Sequence, residues 1–259
     1  MSHTFATQRL FQLDFFSQDK KILENLLQDH LRVKKDLLTI ATPNPEQVVL
    51  SQENTEFLQA FQAFDIRIPD GQGIVWASGV FGQKLSERIP GIEVVEFLLK
   101  QVDQGKVLII GGRGYGEAAD IKHKVLSISE LDVNGTKVLW TPGYEDVSRP
   151  SEQEEEIVVQ TIKKLQPSVV FVAFGAPHQE SWLISHKKIL EESKVAVAMV
   201  VGGAFDMILG KVARAPQLVQ NMGLEWLFRL IQEPWRWRRQ LKLIRFIQIV
   251  LQEKFTVSS

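Results

Sequence analysis

Short apolar runs recur along the chain at residues 37–41, 64–68, 107–110, 138–140, 169–174 and 195–201, each followed by a cluster of Gly, Pro, Asn or Asp. Between them, residues 45–64, 92–104, 116–129, 151–166 and 178–193 carry apolar positions at the spacing of amphipathic helices. Alternation of this kind predicts an α/β fold, a Rossmann-like mostly parallel sheet covered by helices on both faces. The expected division is an α/β domain over residues 1–210 and a basic, Trp-rich helical appendage over residues 211–259.

Ligands of open α/β sheets sit beyond the carboxyl ends of the strands. The residues expected there are Thr42-Pro43-Asn44-Pro45, Pro69-Asp70-Gly71-Gln72-Gly73, Gly111-Gly112-Arg113-Gly114, Thr141-Pro142-Gly143-Tyr144, Gly175-Ala176-Pro177-His178-Gln179 and Gly202-Gly203-Ala204-Phe205-Asp206. Each cluster is small, polar or both, as a backbone that approaches a ligand must be. Six of them at one edge predict a substantial site.

Composition narrows the chemistry. The chain has 259 residues, 44% hydrophobic and 24% charged, as an ordinary globular protein has. With no cysteine, thiolate catalysis, disulfides, iron–sulfur clusters and Cys-based zinc sites are excluded, a composition compatible with a reducing cytoplasm. Residues 1–20 lack the uninterrupted apolar core of a signal peptide. The longest apolar stretch, residues 195–205, is shorter than the roughly 20 residues that cross a bilayer.

Charge is nearly balanced overall, at −1, but unevenly placed. Residues 235–259 carry a net +5, which leaves −6 on residues 1–234, so a basic tail is attached to an acidic body. In the tail, Arg238, Lys242 and Arg245 share one helical face, with Leu243, Ile244, Ile247, Val250 and Leu251 on the other. Such a helix suits an anionic membrane surface; packing on its own domain or on another subunit is the competing reading. The acidic body disfavours nucleic acid as a partner.

Among candidate motifs, the glycines from Gly112 match a dinucleotide fingerprint only in part, because its last glycine position holds Glu117. A phosphate near this turn and a plain Gly-rich turn both remain open. Asp70 reads either as the cap of the helix that follows it or as a carboxylate held at the cleft, able to take a proton from a hydroxyl nucleophile. No Asp-x-Asp pair occurs to hold a metal on a diphosphate, and the histidines lack metal-site spacing, so neither a metal nor another cofactor is expected. Positive charge for phosphate would come from Arg88 and the tail. The serines lack a G-x-S-x-G elbow.

Several motifs in order resemble those of the WecG/TagA/CpsF glycosyltransferases: Thr42-Pro43-Asn44-Pro45-Glu46, residues 69–77 from Pro69-Asp70-Gly71, Glu87-Arg88-Ile89-Pro90-Gly91, Phe174-Gly175-Ala176-Pro177-His178-Gln179-Glu180 and Val201-Gly202-Gly203-Ala204-Phe205-Asp206. Residues 210–216, 223–227 and Glu233-Pro234 continue the match, which runs from about Thr42 to Arg239. The resemblance implies an inverting transferase that moves a sugar, often of the N-acetylmannosamine type, from a UDP donor to a polyprenyl-diphosphate-linked sugar in cell-surface polysaccharide or teichoic-acid synthesis. It implies a peripheral enzyme on the cytoplasmic face of the cell membrane. Asp70 matches the family's proposed catalytic base. Thr42, Asn44, Arg88 and Gln179 match positions lining the pocket, which Gly111, Gly112, Gly202 and Gly203 would complete. Arg229, Arg236 and Arg239 match arginines implicated in binding the acceptor diphosphate or closing the site. The rival readings are a non-catalytic UDP-sugar-binding protein that docks a partner through its tail, and an NAD-dependent enzyme. Oligomeric state stays open, a homo-oligomer included.

Overall fold

The computed structural model describes residues 5–33, 36–103, 106–112, 115, 128–234 and 237–257. The chain opens with a hairpin, β1 (Thr7–Leu10) and β2 (Leu13–Phe16), then helix α1 (Lys20–Val33). Strand β3 (Leu38–Ala41) leads into α2 (Pro45–Glu53) and α3 (Thr55–Gln62), and β4 (Ile66–Arg67) into α4 (Gln72–Val80) and α5 (Gly91–Gln101). Next come β5 (Val107–Gly111), β6 (Ser129–Val133), β7 (Thr136–Thr141), α6 (Glu152–Leu165) and β8 (Val169–Ala173). Helices α7 (His178–Ser185) and α8 (Lys187–Glu192), strand β9 (Val197–Val200) and α9 (Ala204–Ile208) follow, then α10 (Gln217–Asn221), α11 (Glu225–Gln232) and α12 (Trp237–Val257).

Among the described residues, a seven-stranded sheet has the order β4-β3-β9-β8-β5-β7-β6, parallel throughout except for the antiparallel β6–β7 pair. The inner strands are buried on both faces. Leu108, Ile110, Val170, Val172, Ala198 and Val200 join the core on one side, and Val107, Ile109, Val169, Phe171, Val197 and Met199 the core on the other. This period-two division explains why these segments read as unbroken apolar runs.

Local capping divides two of the expected helices. Asn54 ends α2 and caps α3, its side chain accepting from the Phe57 N–H at 2.9 Å, so residues 45–64 form two helices. The segment 178–193 bends at His186, where α7 gives way to α8. Residues 151–166 form one helix closed by a capping box between Ser151 and Glu154. The expected helix over 116–129 falls mostly outside the described residues.

Several elements were not expected from the pattern, among them the β1–β2 hairpin, α1, β6 and the short α9. The hairpin turns on Phe11 and Gln12, both at positive φ (52° and 62°), a conformation usually left to Asn and Gly. Phe11 is buried there between the Phe81 and Phe246 rings, with centroids 5.5 and 5.4 Å away, so tertiary packing offsets the local cost. Buried Arg67 ties the hairpin to the sheet edge. Its Nε donates to the Asp14 carbonyl at 2.8 Å, and its Nη1 donates to the carbonyls of Phe61, Gln62 and Phe64.

The C-terminal segment is helical, but α12 does not stand free of the body. It lies along α2, and Phe246, Ile249 and Val250 enter the same core as the hairpin. The apolar face expected for this helix therefore divides. Val250 is buried, whereas Leu241, Ile244, Ile247 and Leu251 form an exposed stripe. Phe246 is 2% exposed and Ile244 57%. Phe246→Ala is expected to cost about 3–5 kcal/mol, and Ile244→Ala less than about 0.5 kcal/mol, measured by chemical denaturation of the full chain. Equal effects would mean that α12 packs by another face.

Candidate functional site at the carboxyl edge

The strand order brings the loops after β4, β3, β9, β8 and β5 side by side at the carboxyl edge. Asp70 lies just beyond β4, its N–H donating to the Pro43 carbonyl at 3.1 Å, while Ile68 N–H bonds to Ala41. Backbone bonds thus fix Asp70 against the Thr42-to-Asn44 loop. Asp70 does not cap the helix that follows: Gly71 is the N-cap of α4, without a side-chain cap bond. Instead its carboxylate accepts the N–H of Gly91, the first residue of α5. A Cβ added at Gly91 would lie 3.0 Å from Thr42 Cγ2 and 3.6 Å from Asp70 Oδ2, so Gly91 lets these two side chains converge.

Two guanidinium groups flank this carboxylate. Arg88 Nη2 is 3.8 Å from Asp70 Oδ1 and 2.6 Å from Glu225 Oε2 on α11. Arg229, one turn further along α11, contributes positive charge to Asp70 and lies 3.8 Å from Glu233. A Cβ at Gly203 would come within 3.0 Å of Asp206 Oδ2 and in ordinary contact, 3.8 Å, with Arg229 Nη2, so Arg229 reaches this loop beside the Asp206 carboxylate. Burial raises the Asp70 carboxyl to about 6; Arg88, the Gly91 N–H and Arg229 pull it down, and Glu225 pushes it up. The side chain remains 29% exposed, within reach of a substrate hydroxyl.

Behind this edge runs a buried polar bracket. Gln179 is 1% exposed, and its Oε1 accepts the N–H groups of Gly175 (3.1 Å) and Gly202 (3.0 Å), tying the β8 loop to the β9 loop. Its Nε2 donates to Glu180 Oε1 at 2.9 Å, which also accepts from Gln47 Nε2 at 3.1 Å. Gln47 completes the capping box of Asn44 at the start of α2. Gln179 and Asn44, expected to line the pocket, thus hold its loops in place. Burial keeps the proton on Glu180 up to about pH 7.

Gly111 and Gly112 are crowded by their own chain. A Cβ at Gly111 would meet Phe174 Cδ1 at 2.7 Å and the Ala173 carbonyl carbon at 2.9 Å, and one at Gly112 would overlap the Tyr115 ring. Both φ angles are positive (93° and 72°), so the close approach that these glycines permit is to Phe174 and Tyr115. His178 opens α7, while His186 stacks on Trp182 at 4.0 Å and contacts Glu155 at 2.6 Å. Glu155 also accepts from the Tyr144 hydroxyl at 2.7 Å.

Of the tail arginines, Arg229 reaches the site. Arg236 and the Arg239 side chain lie outside the described residues. Sequence reasoning missed Glu180, Gln47, Gly91 and Glu225. Glu180, Gly91 and Glu225 stand inside motifs already singled out, beside residues that drew the attention. Among the described residues, no group of three or more His, Asp or Glu side chains is placed to hold a metal ion.

The match to known proteins extends beyond the span legible in the motifs. Residues 8–259 match the family described as "Glycosyl transferase WecG/TagA/CpsF family". A Bacillus subtilis (strain 168) protein named N-acetylglucosaminyldiphosphoundecaprenol N-acetyl-beta-D-mannosaminyltransferase is 29% identical over 249 residues, covering 96% of this chain and 92% of its own. The proteins of the same name from Bacillus spizizenii and Staphylococcus aureus (strain MRSA252) are 30% and 31% identical, over 96% and 85% of this chain and 92% and 80% of theirs. A match over nearly the whole length, on a fold that gathers the motif residues at one sheet edge, makes this chain a member of the WecG/TagA/CpsF family of glycosyl transferases.

Proposed function

We propose that this enzyme transfers N-acetylmannosamine, with inversion, from a UDP donor to N-acetylglucosaminyl-diphosphoundecaprenol, and that Asp70 is the general base. The observation that carries the reading is Asp70 itself: a partly exposed carboxylate at the carboxyl edge, between Arg88 and Arg229 and fixed by backbone bonds. Donor sugar and acceptor are taken from the names of the relatives that match most of the chain.

The chemistry follows from these positions. The acceptor hydroxyl attacks the anomeric carbon, its proton passes to the Asp70 carboxylate, and the bond from that carbon to the UDP oxygen breaks. A carboxyl group with a pKa of about 6 is ionised at neutral pH and more basic than a surface aspartate, which suits it to the task. Charge developing on the departing diphosphate falls to guanidinium groups, since the sequence has no Asp-x-Asp pair. Arg88 and Arg229 each keep a buried Nε–H without an acceptor, and Arg236 and Arg239 are the further candidates of the tail.

The acceptor is lipid-linked, and the tail fits a membrane-surface role. No helix among the described residues is long and apolar enough to cross a membrane. Leu218 on α10, Met222 just after it, Trp226 and Ile231 on α11, and Trp237, Leu241, Ile244, Ile247 and Leu251 on α12 are exposed, and α12 also carries Lys242 and Arg245. Apolar residues edged with Lys and Arg match the headgroup boundary of an anionic bilayer. We place the enzyme on the cytoplasmic face of the membrane.

Asp70→Asn should reduce acceptor-dependent UDP release by about 10²–10⁴-fold with UDP affinity nearly unchanged. Its melting temperature at pH 7.5 should match or exceed that of the parent, since the folded state raises this carboxyl and ionisation costs stability above pH 6. In the parent enzyme, kcat/KM should fall as pH drops through about 6, where the carboxylate takes up its proton. Loss of folding in Asp70→Asn would assign Asp70 a structural role instead. EDTA should leave turnover intact; dependence on added magnesium or manganese would refute the metal-free mechanism. Replacing Ile244 and Ile247 together by Glu should abolish co-sedimentation with phosphatidylglycerol vesicles at unchanged melting temperature, and undiminished sedimentation would move the membrane contact elsewhere.

A further inference from the structure

The anchoring of α11 bears on the reaction in a way that its one arginine, Arg229, does not explain. None of the α11 residues is fully buried, and Trp226, Leu227 and Ile231 face outward, so apolar burial holds this helix to the body only weakly. An ionic link joins it to the loop before α5. Glu225 Oε2 sits 2.6 Å from Arg88 Nη2, with the two side chains 15% and 19% exposed, and the same Nη2 lies 3.8 Å from Asp70 Oδ1. One guanidinium nitrogen is therefore shared, unequally, between a carboxylate of the tail and the carboxylate of the site.

We propose that Glu225 is a positioning residue that draws Arg88 away from Asp70, so that the docked tail keeps Asp70 a stronger base than a full ion pair with Arg88 would allow. The proposal rests on the reading of Asp70 as the general base. A direct Arg–carboxylate pair lowers a carboxyl's proton affinity and weakens it as a base. Glu225 opposes this twice: it holds the shared nitrogen at the shorter distance, and it adds negative charge near Asp70. The charged groups bearing on Asp70 are Arg88, from the loop before α5, and Glu225 and Arg229 from α11, with the Gly91 N–H at the start of α5. Glu93 of α5 acts on Arg88 in turn, while its own oxygens hold Lys20 at 2.8 Å and Arg214 at 2.9 Å. Glu225 is thus an acidic contribution to Asp70 that comes from the tail, which makes the basicity of the site depend on the tail being docked.

Glu225→Gln removes the charge and keeps an oxygen that can accept from Arg88, so tail docking is least disturbed. The experiment is the pH profile of kcat/KM with a UDP-sugar donor and a short-chain prenyl-diphosphate-linked N-acetylglucosamine, for the full-length parent, Glu225→Gln, Glu225→Asp and Asp70→Asn. The acid limb of Glu225→Gln should move to lower pH by about 0.5–1 unit, the effect of removing one charge this close to a partly exposed carboxyl at an effective dielectric of about 40–80. Glu225→Asp, which keeps the charge, should restore the parent limb. An unchanged limb in Glu225→Gln, with Asp70→Asn inactive, overturns the role of Glu225 and leaves Asp70 as the base. An active Asp70→Asn overturns the base assignment itself. If Glu225→Gln unfolds, the neutral Glu225→Asn decides: a limb lowered by about 0.5–1 unit supports the charge effect, and a parent-like limb refutes it.

Discussion

The carbonyl oxygen of Gln179, buried beneath the carboxyl edge, receives the backbone N–H of Gly175 and that of Gly202 at once. A parallel sheet ends its strands at one edge, where the loops lose ladder partners for their amide groups, and a buried amide without an acceptor costs about 1–3 kcal/mol. One side chain meets that requirement for two loops. Through Glu180 and Gln47 the same network reaches the capping box of Asn44 and so the loop after β3. Pro43 of that loop accepts the Asp70 N–H, so the carboxylate of the site is held by a bracket that begins at Gln179.

On this fixed edge the charges are less settled. Glu225, Arg88, Asp70 and Arg229 form a chain of alternating sign in which the outer two members come from α11 and the inner two from the loops before α4 and α5. The uneven charge of the sequence, acidic body and basic tail, favours docking without specifying it. The tail also turns an apolar stripe outward while Phe246, Ile249 and Val250 hold α12 to the core. The same segment therefore carries a packing face, an exposed apolar face and two charges that reach Asp70 and Arg88.

How much of this was legible depended on the range over which each signal acts. The inner strands β5, β8 and β9 were readable because burial on both faces leaves uniform apolar runs. The two hairpins contrast. Asn134-Gly135 joins β6 to β7 with φ of 52° and 82°, a turn whose residues announce it, although the apolar pattern alone passed over it because β6 alternates with solvent. Phe11-Gln12 adopts the same kind of turn without such residues, held by the burial of Phe11 against Phe81 and Phe246 from distant parts of the chain. No local rule could have found it.

The α/β class was written in the sequence, as were Asp70 and Arg88, which the fold brings to within 3.8 Å of each other, because strand burial and loop composition are set by neighbouring residues. Only the folded chain shows what each of these residues is bonded to. Gln179 and Asn44 became supports, Gly111 and Gly112 were taken up by Phe174 and Tyr115, and Glu225 came in from the far end of the chain to share Arg88. The physical reason is that hydrogen bonds and ion pairs act over about 3–4 Å, whereas Arg88 and Glu225 lie 137 positions apart in sequence and meet only once the sheet has folded.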